Sequence, residues 1–175
     1  MDKPKYISQN WMKLLIDPMA VSQEIVEFLS FWSVRSCGLA CASSAITYFT
    51  GIEVSQITLF NQCVRNGGYS ALGWKHVELA NLISSYGIKA KASPLPIPTL
   101  LKLLSEGYLI IASVTHKFPE EGSRGGHLIL VYDVYQSDNQ RFIRYMDPSA
   151  WGKNNTTVSF DRFCKSFTMN GIILN

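Results

Sequence analysis

The sequence predicts an α+β fold, with helices through the first part of the chain and an antiparallel sheet in the rest. Three observations carry that expectation. Over residues 17–105 the apolar side chains recur three or four apart, the spacing of a helix face. Beyond Gly107 the period shortens to that of strands, and β-branched and aromatic residues take over. These later segments follow one another with only one short helix among them, which argues for a meander and against a doubly wound parallel sheet.

Taken in chain order, Asp17-Pro18 reads as a helix opening, with the Asp as cap and Pro in the first turn. Val21, Ile25, Phe28 and Leu29 then fall on one stripe. Residues 36–51 carry small side chains on nearly every side, so they form a buried central helix, and Gly51 suits its left-handed stop. A third helix spans 54–64, and a glycine-rich loop follows at 66–70. The fourth carries Trp74, Val77, Ala80 and Ile83 three apart and closes at Gly87. Pro96 and Pro98 open a Leu-rich helix that stops at Gly107. Strands are expected at 108–114, 128–135, 141–146, 156–160 and 171–174, with a short helix at 161–166 and an edge strand at 88–93. No internal repeat or low-complexity linker is visible.

At 175 residues, 47% hydrophobic and 17% charged, the chain can bury a sizeable core as one domain, and disorder is excluded. Its net charge of +3 is scattered, whereas a nucleic-acid binder would gather its basic residues on one face. Cys37, Cys41, Cys63 and Cys164 are too few for a disulfide scaffold. Asp2, Lys3, Lys5 and Lys13 interrupt the N-terminus, so no secretory signal is read there, and apolar runs such as 108–114 are too short to span a bilayer. The expectation is a soluble, cytoplasmic protein with reduced thiols that engages neither nucleic acid nor membrane.

Three residues stand out for chemistry. Cys37 lies between Ser36 and Gly38 at the start of the small-residue helix, where the positive end of the helix dipole favours a thiolate. Gly38 would leave room for a substrate carbonyl to reach the Cys37 backbone N–H, half of an oxyanion hole. The bland alternative is a buried structural cysteine. His127 enters an apolar strand after Gly125-Gly126, which remove side chains that would crowd its ring; the alternative is a satisfied structural histidine. His116 starts a polar loop at 117–126, and His76 lies on a helix face expected to be solvated. Asp147 precedes Pro148, where a plain turn-forming Asp is common.

Geometry links the last two. Strands 128–135 and 141–146 are joined by a polar turn, so a hairpin is expected. If it centres on Ser137, His127 and Asp147 stand directly opposite each other on one face. A slip of one residue would separate them.

Other chemistries are weaker. Cys37 and Cys41 lie four apart and could join a His on zinc, but no second pair has ligand spacing, so no metal or cofactor is expected. Gly67-Gly68 and Gly125-Gly126 lack the helix and Lys of a phosphate loop. Trp32, Tyr69, Trp74 and Trp151 could flank a cleft, with Trp151 beside the histidine. Loop 117–126 could act as a lid.

Cys-Gly at a helix start, Gly-His at an apolar strand and Asp-Pro one hairpin later resemble the papain-like cysteine peptidases. More narrowly, the set is similar to the bacteriocin-processing, double-glycine leader peptidases and their stand-alone relatives. The resemblance runs from about residue 33 to the C-terminus. It implies a papain-like fold: a helical half at 33–107, its central helix bearing the nucleophile, packed on an antiparallel β-sheet half at 108–175. Residues 1–32 would be a helical extension of the same single domain, 1–175. It also implies a catalytic set in which Cys37 is the nucleophile, His127 its base and acid, and Asp147 the group orienting the imidazole.

One family feature is missing. A Gln half a dozen residues before the nucleophile usually supplies a second oxyanion donor, and here that stretch reads Phe31-Trp-Ser-Val-Arg-Ser36. Ser33 or Arg35 could stand in. Losing one such donor costs on the order of a hundredfold or more in rate. The expected activity is therefore peptidase-like acyl transfer on a peptide. An amide synthase or acyltransferase drawing on an acyl- or peptidyl-carrier thioester is the alternative, and a non-catalytic peptide-binding module the third.

Overall fold

The computed structural model describes residues 2–15 and 21–175. The Asp17-Pro18 helix opening expected from the sequence lies outside these. After an extended N-terminal stretch comes a short 3-10 helix, Trp11–Leu14, capped by the Asn10 side chain, which accepts from the Met12 N–H at 3.0 Å. The helices are α1 (Gln23–Ser33), α2 (Cys37–Thr50), α3 (Gln56–Arg65), α4 (His76–Ser84), α5 (Ile97–Ser105) and α6 (Phe160–Ser166). The strands are β1 (Tyr69–Ser70), β2 (Gly73–Trp74), β3 (Ala90–Pro94), β4 (Leu109–Val114), β5 (His127–Ser137), β6 (Gln140–Met146), β7 (Thr157–Ser159) and β8 (Asn170–Leu174).

Strands β3 to β8 form one antiparallel sheet in the order β3-β8-β4-β5-β6-β7. The chain is thus the α+β architecture that its two periodicities imply. Alternation along the strands divides the core in two. Leu109, Ile111, Leu128, Leu130 and Ile172 face one way, onto α2 and α4. Ile110, Ala112, Ile129, Val131 and Tyr145 face the other, onto α5 and α6.

Helix α2 is the centre of the first layer. Residues 37 to 46 are all buried, as expected of a helix with no large polar side chain, and Gly51 ends it at φ 72°. Its short side chains let the sheet and α3 come close. The fourth helix begins later than the sequence spacing suggests. Trp74 is not on it but in the two-stranded hairpin β1–β2, which the glycine-rich stretch forms instead of a plain loop. Gly73, at φ 101°, permits that tight return.

The β5–β6 hairpin differs from the expected register, and the difference bears on function. Its turn is the two-residue Asp138-Asn139, both at positive φ (47° and 61°), so the hairpin is not centred on Ser137. Ser137 faces Gln140, and this offset persists to Asp133 opposite Arg144. Carried on unchanged, it would place His127 and Asp147 on opposite faces of the sheet. Tyr132 is an extra residue on β5, and beyond it Val131 faces Tyr145 and Leu130 faces Met146. Continued one step further, Ile129 stands opposite Asp147. His127 is then two residues along the same face, a diagonal neighbour rather than a direct partner.

Candidate active site

Three elements converge beside one cleft. Cys37 is the first residue of α2, His127 the first of β5, and Asp147 the first residue after β6. An open cleft of about 150 Å³ between the helical layer and the sheet edge is lined by Cys37, His127, Tyr69, Trp74, His76 and Ser113, among others. Cys37 and His127 are each 8% exposed and Asp147 is 1% exposed. The helix start aims the unpaired N–H groups of its first turn toward the thiol end of the cleft.

His127 Nε2 lies 2.8 Å from Asp147 Oδ1. The backbone N–H of Ser149 donates to the same oxygen at 2.8 Å, a turn that fixes the carboxylate. Gly152 permits this arrangement, because a Cβ there would sit 2.3 Å from both Asp147 Cβ and its carbonyl oxygen. With Nε2 bound to the carboxylate, Nδ1 is the ring nitrogen left to serve the thiol. Burial works against a charged His127 ring, but the hydrogen bond to Asp147 and the neighbouring Cys37 sulfur outweigh it and raise its pKa to about 9. Burial likewise opposes the Asp147 carboxylate, yet His127 and the Ser149 N–H hold it below the ordinary range. The pair therefore favours imidazolium beside carboxylate.

The remaining thiols are of another kind. Cys41 is fully buried one turn below Cys37 and donates to the Leu128 carbonyl at 3.4 Å. Burial, reinforced by the charges at Cys37 and Asp147, raises its pKa well above that of an ordinary thiol. Burial also pushes Cys63 up to about 11 and raises Cys164.

Several expectations need correction. Gly38 does not hold space for a substrate carbonyl; a Cβ there would meet Trp74 Cδ1 at 2.8 Å and Leu79 Cδ1 at 2.9 Å, so the space belongs to those side chains. Gly126 relieves no crowding, since a Cβ there meets nothing within 4 Å; its φ of 90° is what excludes other residues. The substitutes considered for the missing Gln are both committed elsewhere. Ser33 Oγ donates to the Leu29 carbonyl and accepts from Met12 N–H, while Arg35 lies over the Phe31 ring and donates to its carbonyl. Trp32 is core, stacked on Trp11 and edge-on to Phe60. His76 is not a solvated surface residue; it is half-buried in the cleft wall, and burial lowers its pKa.

His116 is the residue that sequence reasoning undervalued. It follows β4, packs edge-on against His127 with ring centroids 5.0 Å apart, and brings Nδ1 to 3.9 Å from Asp147 Oδ2. Burial, then the adjacent His127, lower its pKa. Trp151 reaches His116 at 5.9 Å and Phe118 at 6.4 Å, so it stands one ring away from His127. The base of loop 117–126 is pinned: Phe118 is buried and its carbonyl accepts from Arg162 Nε at 2.9 Å.

Among the described residues no single helix is long and apolar enough to cross a membrane. No protein-family profile and no curated protein sequence matches the chain. Solved structures do. The peptidase domain of Streptococcus ComA, a bi-functional ABC transporter involved in quorum sensing, is 21% identical. It aligns over 80% of this chain and 90% of its own, with a TM-score of 0.57. A double glycine motif protease from an AMS/PCAT transporter, solved with its leader peptide, is 20% identical over 81% of this chain and 84% of its own, TM-score 0.53. At such identities the likeness speaks to fold, and the fold of this chain is that of the papain-like, double-glycine peptidase domains.

Proposed function

We propose that the chain is a thiol peptidase-like enzyme in which Cys37, His127 and Asp147 carry out acyl transfer. The observation that carries this reading is the buried 2.8 Å His127–Asp147 pair, whose histidine lines the same cleft as the thiol at the start of α2. A thiolate on Cys37 attacks the carbonyl carbon of a peptide bond. The developing oxyanion meets the free N–H groups of the helix start. His127 then gives its proton to the departing amine, leaving an acyl-thioester on Cys37. Water attacks that thioester, His127 takes its proton, and the acid departs with the thiol restored. Asp147 holds the ring in orientation throughout. A peptide is the substrate class favoured here, in keeping with the leader-peptide complex of the AMS/PCAT protease.

A second reading has its own support. Residues 31–36 supply no Gln, and Ser33 and Arg35 are already bonded, so no side-chain oxyanion donor is evident there. A weak oxyanion hole is better tolerated with an activated thioester than with an amide. Transfer from a carrier thioester to an amine is the reaction that would suit it.

One experiment separates these. The protein is offered double-glycine peptides and, in parallel, acyl-carrier thioesters with amines, and intact mass is recorded. Peptide cleavage that is lost in Cys37→Ala and His127→Ala supports the peptidase. A Cys37 adduct from thioester alone favours transfer. Modification at another residue overturns the assignment of the nucleophile.

A further inference from the structure

Asp147 has two carboxylate oxygens, and the site described so far uses one. Oδ1 receives His127 and the Ser149 N–H, whereas Oδ2 is buried without a hydrogen-bond partner. A buried carboxylate oxygen left unpaired is destabilising, and this one is a free acceptor for a ligand. The group nearest to it across the gap is His116, whose Nδ1 stands 3.9 Å away. That is too far for a hydrogen bond and leaves space between the two atoms.

We propose that His116, His127 and Asp147 form a zinc site that shuts down the thiol centre when occupied. One ligand atom from each of the three lies within 4.8 Å of the others. Two imidazoles and a carboxylate are a donor set zinc takes at three-ligand sites, with a fourth position open. Bonds of about 2.0–2.2 Å require His116 Nδ1 to close in by about an ångström and the 2.8 Å His127–Asp147 hydrogen bond to open as the metal takes the place of its proton. His116 has the most freedom to approach: its side chain is 41% exposed, against 8% for His127 and 1% for Asp147. The same exposure gives the ion a way in from solvent. Trp151 packs edge-on to His116 at 5.9 Å.

The consequence for reactivity follows from which atom is taken. Zinc replaces the proton on His127 Nε2, releasing it to solvent. The neutral ring then keeps its remaining proton on Nδ1, and that N–H is a far weaker acid than an imidazolium, so it no longer delivers a proton to the departing amine. The thiol is spared as a ligand, so inhibition and cysteine chemistry are separable. That consequence rests on the function proposed above; the site itself rests on geometry alone.

The test is a zinc titration of the full chain against a chromophoric chelator, run on the Cys37→Ser background so that no thiolate competes. One zinc should bind per chain, and Cys37→Ser should match the unaltered protein within about twofold. His116→Ala in that background should weaken binding at least tenfold, since loss of even a supporting group costs about 10–100-fold. His76→Ala, which alters the other cleft histidine, should leave it unchanged. Three results overturn the proposal: no binding at micromolar zinc, binding lost in Cys37→Ser, or binding indifferent to His116→Ala. Because the readout is binding, failure of the proposed enzyme activity would leave this result standing, and the reverse.

Discussion

At the scale of single residues, Asp147 is constrained from several sides. It is 1% exposed, bonds both His127 and the Ser149 N–H, and has Gly152 pressed against its Cβ. Two linked protonation effects follow with opposite signs. His127 is raised to about 9, so the folded state holds that proton more tightly than the unfolded chain. Its contribution is full below the ordinary histidine range and is lost as pH rises through about 9. Asp147 is lowered, so its contribution is present above the usual carboxylate range and is lost on acidification. The melting temperature should therefore fall between about pH 6.5 and 9, and His127→Ala should flatten that fall; a slope unchanged in the variant would remove His127 as its cause. In Asp147→Asn, an NMR titration should find the His127 ring with a pKa closer to that of an ordinary histidine. Cys37, His127 and Asp147 are legible in the sequence because each carries a local sign: Cys-Gly at a helix start, Gly-His at a strand start, Asp-Pro at a strand end. His116 carries none. Its place depends on Lys117 and Phe118 taking positive φ (64° and 50°) after β4, which no composition rule reports.

At the scale of elements, the β5–β6 hairpin decides whether the site can exist. The sequence led to the right two strands and to two residues on one face, but by a register the structure does not have. The Asp138-Asn139 turn shifts the pairing, and the Tyr132 bulge shifts it back by one residue on the side of the site. Bulges have no sharp composition signature, because the extra residue is selected by how it packs, and Tyr132 packs into the core under α2. Asp and Asn tolerate left-handed backbone where a β-branched residue does not. Asn139→Val should accordingly cost about 1–2 kcal/mol in denaturant unfolding, whereas Asn139→Gly should be neutral or stabilising. Equal losses in the two variants would mean the Asn side chain, not its backbone, holds the turn. The β1–β2 hairpin was hidden for a different reason. Two-residue strands are too short for periodicity to register, and Trp74 matched a helical spacing by coincidence while its indole N–H donates to the Arg35 carbonyl at 2.6 Å.

At the scale of the whole molecule, the N-terminal stretch ties the two layers together behind the site. Its partners come from both sides. Ser44 Oγ of α2 donates to the Lys5 carbonyl, Gln56 Nε2 of α3 donates to the Ser8 carbonyl at 2.8 Å, and Lys5 pairs with Glu53. From the sheet side, the Gln9 N–H donates to the Pro148 carbonyl at 2.9 Å and the Tyr6 hydroxyl to the Ser149 carbonyl at 3.0 Å. Pro148 and Ser149 directly follow Asp147, so this strap braces the turn that holds the carboxylate. Nothing in residues 2–10 suggested such a role, since an extended segment of mixed polarity has no period to read. Each bond contributes about 1 kcal/mol, and together they connect α2, which bears Cys37, to the loop that bears Asp147. Tyr6→Phe removes one of them and should cost about 0.5–1.5 kcal/mol. Deleting residues 1–9 removes them all, and the prediction there is local before it is global. Amide hydrogen exchange at residues 147–152 should accelerate by more than tenfold while β4 and β5 stay protected, and His127 should titrate nearer to an ordinary histidine. Uniform acceleration across the sheet would instead make the strap a general stabiliser of the fold, with no particular hold on the site.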